Sequence, residues 1–246
     1  TEALRSMVDQ ALVNASFARP EQHEKILPLD AELRTDDSLL CPADPVTIEE
    51  KIDAALTLET QLASREKVKN VPYNGVSDNT GQRRVFTTAG LTAFSRSRMC
   101  SAMAFALMEE GEKNVMDGFG QASRIFGNID VGAIVERAHQ NCLGLLNGEP
   151  ISSGHYDVIF EKEAQADLFS VFDMMFSGKS AKDGVNPMRD KVGEQIADAR
   201  LSLLDTPLNA DGFGYSLFDA EGTPTTNRAM IDGGRLATLA HNSATA

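Results

Sequence analysis

Residues 97–108 read SRMCSAMAFALM and alternate two kinds of apolar side chain, which predicts a β-strand. The larger side chains take one face of that strand: Met99, Met103, Phe105 and Leu107. Cys100 and the alanines 102, 104 and 106 take the other. Because both faces are apolar, the pattern predicts a strand covered on both sides. Residues 83–95, rich in Thr, Val and Phe, predict a neighbouring strand.

The clearest predicted helix runs from Asp130 to Leu146. Apolar residues recur in it at helical spacing and form one stripe: Val131, Ile134, Val135, Ala138, Cys142, Leu145 and Leu146. Gly148 and Pro150 end it. Residues 2–15 predict a further amphipathic helix that ends before Pro20.

Thr47 and Glu50 form a capping box that predicts another helix start. The buried side of this helix is predicted to carry Ile48, Ile52, Ala55, Leu56 and Leu62. The proline-containing residues 26–45 before it are expected to be a connecting segment. Tyr73-Asn74-Gly75 and Asp78-Asn79-Thr80-Gly81 are typical of turns, the second of a hairpin turn.

After Gly148 the predicted elements are shorter. Residues 156–160 predict a short strand, followed by a helix that carries Ala164, Leu168, Val171, Phe172 and Met175 and ends at Gly178. Residues 229–231 and 236–239 predict a β-hairpin around Gly233-Gly234. We therefore predict an α+β fold with a domain boundary near residue 149. An N-terminal domain (1–148) packs helices on a mixed or antiparallel sheet, and residues 149–246 begin a strand-rich C-terminal domain.

Composition narrows the function classes. The 246 residues carry 23 Lys and Arg against 36 Asp and Glu, a net charge of −13 that would repel the phosphates of nucleic acid. Arg83, Arg84, Arg96 and Arg98 are the one basic cluster, for which an exposed strand face is the favoured interpretation. No apolar run approaches the roughly 20 residues that span a bilayer. Three widely spaced cysteines and the lack of a leader pattern at Thr1 favour a cytoplasmic protein.

No catalytic or metal-binding pattern emerges from the residues alone. His139 and Cys142 could share a helix face, but two ligands do not make a zinc site and Cys142 belongs to the apolar stripe. Gly178-Lys179-Ser180 and Gly118-Phe119-Gly120 lack the remaining glycines of phosphate-binding loops. Ser216 has no nucleophile-elbow context, and Asp219 with Glu221 has an ordinary turn composition. We predict no catalytic and no metal-binding residue, and substrate-binding residues stay unknown.

Several stretches after residue 148 resemble the TldD/PmbA family of metallopeptidases. They are SGHYDVIF (153–160), DKVGEQIA (190–197), FDAEGTPT (218–225), IDGGRL (231–236) and HNSATA (241–246). The resemblance is strong after Gly148 and weak before Asn70. It implies that both domains continue beyond the ends of this sequence, so we expect the chain to be part of a longer protein.

The resemblance also bears on catalysis. In the TldD kind of member, the helix after the strand carries His-Glu-x-x-x-His, whose histidines hold Zn²⁺ while the glutamate activates water. The matching helix here reads EKEAQADL (161–168) and keeps only Glu163, which we interpret as a first-turn acid favoured by the helix dipole.

The chain therefore resembles the TldE/PmbA kind, which lacks the zinc motif. The resemblance implies a non-catalytic subunit, itself without a cofactor, in a heterodimer with a TldD-like zinc protease that cuts or processes unfolded peptides. One alternative is a homo-oligomeric peptide-binding or scaffold protein without protease activity. Another is an enzyme whose site is completed by residues outside this sequence.

Overall fold

The computed structural model describes residues 2–18, 25–26 and 28–245. It divides into two compact units. The first contains the described residues up to Leu29, Phe160–Thr206 and the described residues from Asn227 onward. The second contains Asp30–Ile159 and Pro207–Thr226. Among the described helices, none combines the length and the apolar character that crossing a membrane requires.

The second unit is built on a four-stranded mixed sheet. Its strands are β1 (Glu32–Arg34), β2 (Val68–Phe86), β3 (Thr92–Glu110) and β4 (Lys113–Ser123). β3 lies in the middle and pairs antiparallel with β2 along its whole length. On its other side it pairs antiparallel with β4 and, near its start, parallel with β1. This sheet with its helices confirms the predicted α+β class.

Three helices accompany the sheet: α2 (Asp37–Leu40), α3 (Ile48–Ala63) and α4 (Val131–Asn147). α3 and α4 cover one face, where the small side chains of β3 lie. The core residues of the helices are Leu58, Leu62, Ile134, Val135, Ala138, Cys142 and Leu146. They pack on Cys100, Ala102, Ala104 and Ala106, all at most 1% exposed. Small residues on the strand let both helices approach the sheet closely.

Both predicted helix starts are confirmed. Thr47 Oγ1 accepts a hydrogen bond from the Glu50 backbone (3.2 Å), and Glu50 Oε2 accepts one from the Thr47 backbone (2.7 Å). Asp130 caps α4 by accepting from the Ala133 backbone at 2.9 Å. These bonds satisfy amide groups that have no partner within the helix.

The predicted buried face of α3 was largely wrong. Leu62 is buried, but Ile48, Ile52 and Leu56 are exposed. The buried face is instead formed by Lys51, Leu58 and Leu62. The buried face therefore differs from the predicted one by a rotation about the helix axis. Lys51 bonds to the carboxylates of Asp44 and Asp78 beneath the helix, and in this orientation Leu58 and Leu62 face the sheet.

The prediction that residues 97–108 are covered on both sides was also wrong. The face of β3 opposite to α3 and α4 carries Met99 and Met103, each 47% exposed. Tyr73 of β2, on the same face, is 59% exposed. An antiparallel sheet can leave one face open in this way, even where the residues on it are apolar.

The turns predicted at 73–75 and 78–81 do not form, since both segments lie inside β2. Their polar side chains bond to other elements rather than to their own backbone: Asn74 donates to the Ala55 carbonyl oxygen (2.9 Å). The chain turns instead at 87–91, where the Thr87 amide bonds to the Leu91 carbonyl and Gly90 has φ +102°. This turn splits the strand predicted over 83–95.

The predicted connecting segment 26–45 contains regular structure. β1 adds to the sheet in register with Thr92–Phe94, and α2 follows directly. Asp36 caps α2 by accepting from the Ser38 backbone at 2.8 Å. The three-residue strand and four-residue helix are too short to show a periodic sequence pattern.

The first unit contains α1 (Glu2–Phe17), α5 (Lys162–Ser170), α6 (Gly178–Lys182), β5 (Leu203–Asp205), β6 (Arg228–Asp232) and β7 (Arg235–Leu236). The N-terminal helix is confirmed. So is the β-hairpin of β6 and β7, which turns at Gly233 and Gly234, both with positive φ. Residues 156–160 form no strand. Gly178 begins α6 behind its cap Ser177 rather than ending the preceding helix.

Residues 207–226, here called the arm, return to the second unit. Arg83 of β2 donates to the Asp219 carbonyl oxygen at 2.7 Å and lies over the Phe218 ring, 5.1 Å from its centroid. Arg124, just after β4, donates to the carbonyl oxygens of Ala210 (3.0 Å) and Gly212 (2.6 Å). These contacts fasten the arm to the sheet through backbone oxygens, which any sequence provides.

Candidate functional site

The densest group of ionisable side chains lies between α3 and the sheet. It comprises Asp44, Lys51, Asp78, Arg98 and Cys100, here called the ion cluster. Lys51 Nζ lies 2.7 Å from Asp78 Oδ2 and 3.4 Å from Asp44 Oδ2. Arg98 grips Asp78 with two donors and lies 3.3 Å from Asp44 Oδ2. Two carboxylates thus face two cations, and the cluster is neutral as a whole.

Each charge in the cluster has compensating partners. The Asp44 side chain is fully buried and accepts hydrogen bonds from the backbone amides of Val46 and Phe126, both at 3.1 Å. Burial opposes ionisation of Asp44, but these amides and Lys51 outweigh it and lower the pKa of its carboxyl group. The bonds from Arg98 and Lys51 hold the pKa of Asp78 well below its ordinary range. Both carboxylates are therefore ionised at neutral pH.

Asp44, Asp78 and Cys100 also place three potential metal-ligand atoms within 4.8 Å of one another. The arrangement does not suit a metal ion, because Lys51 and Arg98 already occupy the space and neutralise the charge between the carboxylates. Burial raises the pKa of the Cys100 thiol, which opposes the thiolate that zinc binds. The ion cluster therefore fixes α3 on the sheet.

His139 and Cys142, considered above as a pair of ligands, each bond to backbone. Cys142 is fully buried, and its Sγ lies 3.2 Å from the Ala106 carbonyl oxygen. His139 Nε2 lies 3.0 Å from the Glu66 carbonyl oxygen. The two side chains join α4 to different parts of the unit.

The side chains of three of the four arginines in the basic cluster are engaged within the chain, whereas the buried Nε of Arg96 has no hydrogen-bond partner in the described part of the chain. Arg83 holds the arm, and Arg98 belongs to the ion cluster. Arg84 lies over the Phe94 ring at 5.0 Å. Arg96 is half-buried, with its backbone amide bonded to Thr35 Oγ1 at 3.3 Å. The predicted exposed strand face holds for Arg83 and Arg84 only.

The segment that corresponds to the zinc-motif helix is α5. Glu163 lies in its first turn, where the helix dipole favours an acid, and its carboxylate is 3.4 Å from Lys162 Nζ. The helix KEAQADLFS contains no histidine, and none of its residues is buried. Zinc needs three or four nitrogen, sulfur or carboxylate ligands on a fixed frame, and α5 offers two separated carboxylates on an exposed surface. The residues of α5 do not fit a zinc ion.

The remaining short motifs have structural roles. Gly118-Phe119-Gly120 lies inside β4, and Gly178-Lys179-Ser180 opens the five-residue α6. Asp219 Oδ1 accepts from the backbone amides of Glu221 and Thr223, both at 2.8 Å, as expected for a turn. Ser216 donates to the Phe218 carbonyl oxygen at 2.6 Å.

Sequence reasoning missed the ion cluster. Its members are spread from residue 44 to residue 100 and lie on α3, β2, β3 and the loop before α3. One signal was available: Lys51 stands seven residues before Leu58 and eleven before Leu62, which places it on their side of α3. A lysine in that position indicates a buried carboxylate opposite to it.

Comparison with known proteins agrees with the resemblance. Residues 41–146 match the PmbA/TldA metallopeptidase central domain, and residues 153–246 match the PmbA/TldA metallopeptidase C-terminal domain. A metalloprotease PmbA homolog from Haemophilus influenzae is 24% identical over 96% of this chain and 53% of its own length. A metalloprotease from Methanothermobacter thermautotrophicus is 29% identical over 48% of this chain and 26% of its own length.

Solved structures show the same fold. A protein from Bacteroides thetaiotaomicron, described as a modulator of DNA gyrase, superimposes with a TM-score of 0.84 at 19% identity. That match covers 99% of this chain and 57% of the other. TldE from Thermococcus kodakarensis superimposes with a TM-score of 0.76 at 20% identity, over 99% and 55% of the two chains.

The chain spans between about a quarter and a little over half of the length of these curated relatives. The two domain matches together account for most of the sequence, with the central domain first and the C-terminal domain after it. The chain therefore belongs to the TldD/PmbA family of metallopeptidases.

Proposed function

We propose that this chain is part of a TldE/PmbA-type subunit that holds no zinc itself and works in a complex with a TldD-like metalloprotease. The complex degrades or processes unfolded peptides, and the zinc sits on the partner subunit. Family membership supports the protease association, since the relatives are named metalloproteases. The likeness to TldE of Thermococcus kodakarensis is one of fold and fits the choice of subunit type.

One observation carries the assignment of a non-catalytic role. A His-Glu-x-x-x-His motif in register with Glu163 requires histidines at 162 and 167, where this chain has Lys162 and Asp167. A lysine ammonium has no lone pair for zinc, and a single carboxylate five residues away does not complete a site. The role of this chain is then to complete the complex rather than to activate water. We place the complex in the cytoplasm, which fits the free thiols of Cys100 and Cys142.

The test compares the full-length protein alone, its TldD-like partner alone and the two together. We expect cleavage of an unstructured peptide only from the mixture, and a chelator should abolish this activity. The amount of zinc measured should follow the amount of the partner subunit and not the amount of this protein. A partner whose motif glutamate is replaced by glutamine is the control, since it keeps the complex and removes cleavage. Chelator-sensitive cleavage by this protein alone would overturn the proposal.

A further inference from the structure

Three arginines meet around one aromatic ring near the start of β3, on the face of the sheet that also carries Cys100. Arg34 of β1 and Arg84 of β2 both lie directly opposite Phe94 of β3. Their guanidinium carbons are 4.8 and 5.0 Å from the centroid of the Phe94 ring. Arg96 stands two residues further along β3 and therefore on the same face. These four residues are here called the arginine patch.

The positive charge of the patch is only partly compensated. In the part of the chain that the structure describes, the Asp37 carboxylate, 3.6 Å from Arg34, is the one acidic group that forms an ion pair with the patch. Arg84 and Arg96 have no such partner there. The protein has 36 Asp and Glu against 23 Lys and Arg, so acidic groups to pair with them are plentiful. Two guanidinium groups are thus left to bind an anion from outside the described chain.

The Phe94 ring holds Arg84 in an orientation suited to binding. A guanidinium that lies over an aromatic ring uses its flat face for that contact, so its in-plane N–H groups remain able to donate. Arg84 is exposed, whereas Phe94 is half-buried in the sheet and supports it. The donors of Arg84 are therefore already placed, and binding orders the side chain less than it would order a freely moving arginine.

Arg96 adds a second donor group of a different kind. Its side chain is half-buried, and its Nε is shielded from water with no hydrogen-bond partner in the described chain. A partly buried charge attracts an approaching anion more strongly than a fully hydrated charge does. The exposed Gln82 lies directly opposite Arg96 on β2 and adds a neutral amide that can also donate.

The geometry of the patch favours a ligand with several carboxylates. The planar guanidinium matches a planar carboxylate through two parallel hydrogen bonds. One exposed pair of this kind is weak, so a ligand gains affinity by carrying several carboxylates on one chain. The patch spans three strands, and the backbones of Arg34 and Arg84 are about 10 Å apart, which is wider than a single small anion. Glu32 and Asp37 lie on the β1 side, so the ligand would lie mainly over β2 and β3.

We infer that the arginine patch binds a short acidic segment of a peptide, with Arg84 and Arg96 as its main donors and Phe94 as their support. The net charge of −13 does not prevent this contact, because charges beyond roughly 10 Å are screened at ordinary ionic strength and the nearby cations decide. The inference does not rest on the proposed function, since binding at the patch requires neither zinc nor a partner subunit.

Binding is tested with the whole protein and a fluorescently labelled peptide of six glutamates, followed by anisotropy at low ionic strength. We expect saturable binding at one site that weakens as salt is added, and no binding of the matching peptide of six glutamines. Arg84→Gln and Arg96→Gln should each raise Kd about fivefold. Arg65→Gln, which removes the same charge close to the other end of β2, should leave Kd within about twofold.

Two variants that keep the net charge distinguish the patch from general electrostatic attraction. Arg84→Lys replaces the planar fork with a point charge, and Phe94→Leu removes the ring that supports Arg84. Each should raise Kd about threefold, whereas unspecific attraction would leave Kd unchanged. Circular dichroism and thermal unfolding separate a loss of binding from a loss of folding, and Arg84→Lys, at an exposed position, serves alone if Phe94→Leu does not fold.

Three outcomes would overturn the inference. One is a wild-type protein that does not bind the glutamate peptide saturably at low ionic strength. Another is a Kd that stays the same in both Arg84→Gln and Arg96→Gln, or that rises as much in Arg65→Gln. The third is inorganic phosphate that displaces the peptide at the concentration of the peptide itself, which would indicate a site for a small free anion. None of these results bears on peptide cleavage, so they leave the proposed function to its own test.

Discussion

Lys51 and Asp78 are 27 residues apart in the sequence, and their side chains meet at 2.7 Å, Nζ to Oδ2, beneath α3. The lysine also lies 3.4 Å from the fully buried Asp44 carboxylate. Through these two contacts a single side chain joins the helix, the long strand β2 and the loop before α3. The register of α3 on the sheet depends on this charge arrangement as well as on Leu58 and Leu62.

Replacing Lys51 with methionine should destabilise the fold, because it keeps the packing volume but leaves two carboxylates with one cation. Breaking a buried ion pair from one side costs about 3 kcal/mol, and we expect a loss of that order in denaturant titrations. Lys69→Met is the matched control, since Lys69 pairs with Glu109 at the surface and should change stability by less than about 1 kcal/mol. An equal loss of unfolding free energy in the two variants would show that the ion cluster stabilises the fold no more than a surface ion pair does.

The ion cluster also predicts how stability depends on pH. Bonds from Arg98, then from Lys51, depress the folded-state pKa of Asp78 below its ordinary value of 3.8. The resulting stabilisation is present above that ordinary value, where the unfolded state is ionised too, and is lost as the pH falls below about 4. Unfolding free energy, measured by urea titration from pH 6 to pH 2, should fall less steeply for Asp78→Asn than for the wild type.

The exposed Asp53 of α3 provides the control for this measurement. Asp53→Asn should keep the wild-type slope of stability against pH, although it removes one carboxylate just as Asp78→Asn does. A wild-type protein whose stability stays constant down to pH 2 would contradict the account of Asp78.

Gly222→Ala should loosen the arm. Gly222 has φ +89°, which strains any other residue, and a side chain there would overlap the Leu91 side chain. We expect a loss of about 1–3 kcal/mol and faster amide exchange across residues 207–226. Gly214→Ala, in the same arm with open space around it, should behave like the wild type. Unchanged exchange in Gly222→Ala would mean that the arm does not depend on this close approach.

The capping box of α3 should stabilise the fold by less than the ion cluster does. Thr47→Ala removes the acceptor for the Glu50 amide and should cost about 1 kcal/mol in unfolding free energy. Thr60→Ala, which removes a hydroxyl that bonds back to the Leu56 carbonyl in the same helix, should stay within about 0.5 kcal/mol. If the two variants lose the same amount, the cap is not the source of the stabilisation.

The thiols should differ in reactivity. Cys100 and Cys142 are buried, and burial raises the pKa of both thiols, so little thiolate is present and reagents cannot reach it. Cys41 is only partly covered. In the native protein we expect an alkylating reagent to modify Cys41 first, with Cys100 and Cys142 reacting only in denaturant, as followed by mass spectrometry. Native labelling of all three at one rate would contradict the buried placement.

Local patterns in the sequence were enough to predict α1, α4, the capping box of α3 and the β6–β7 hairpin. Each depends on residues close to one another in the sequence, such as Thr47 with Glu50 and Gly233 with Gly234. The family resemblance likewise came from contiguous stretches. The missing histidines at 162 and 167 were visible without any coordinates, because the zinc motif lies within a single helix.

Only the tertiary structure decided which polar residues of β2 form turns and which faces of α3 and β3 are buried. Asn74 and Asp78 look like turn residues because they can bond to their own backbone, but here the Ala55 carbonyl, Lys51 and Arg98 compete for them and keep β2 extended. The alternation of residues 97–108 showed two apolar faces, and only packing showed that one of them is left open. Such outcomes depend on partners 19 or more residues away, which a local pattern cannot specify.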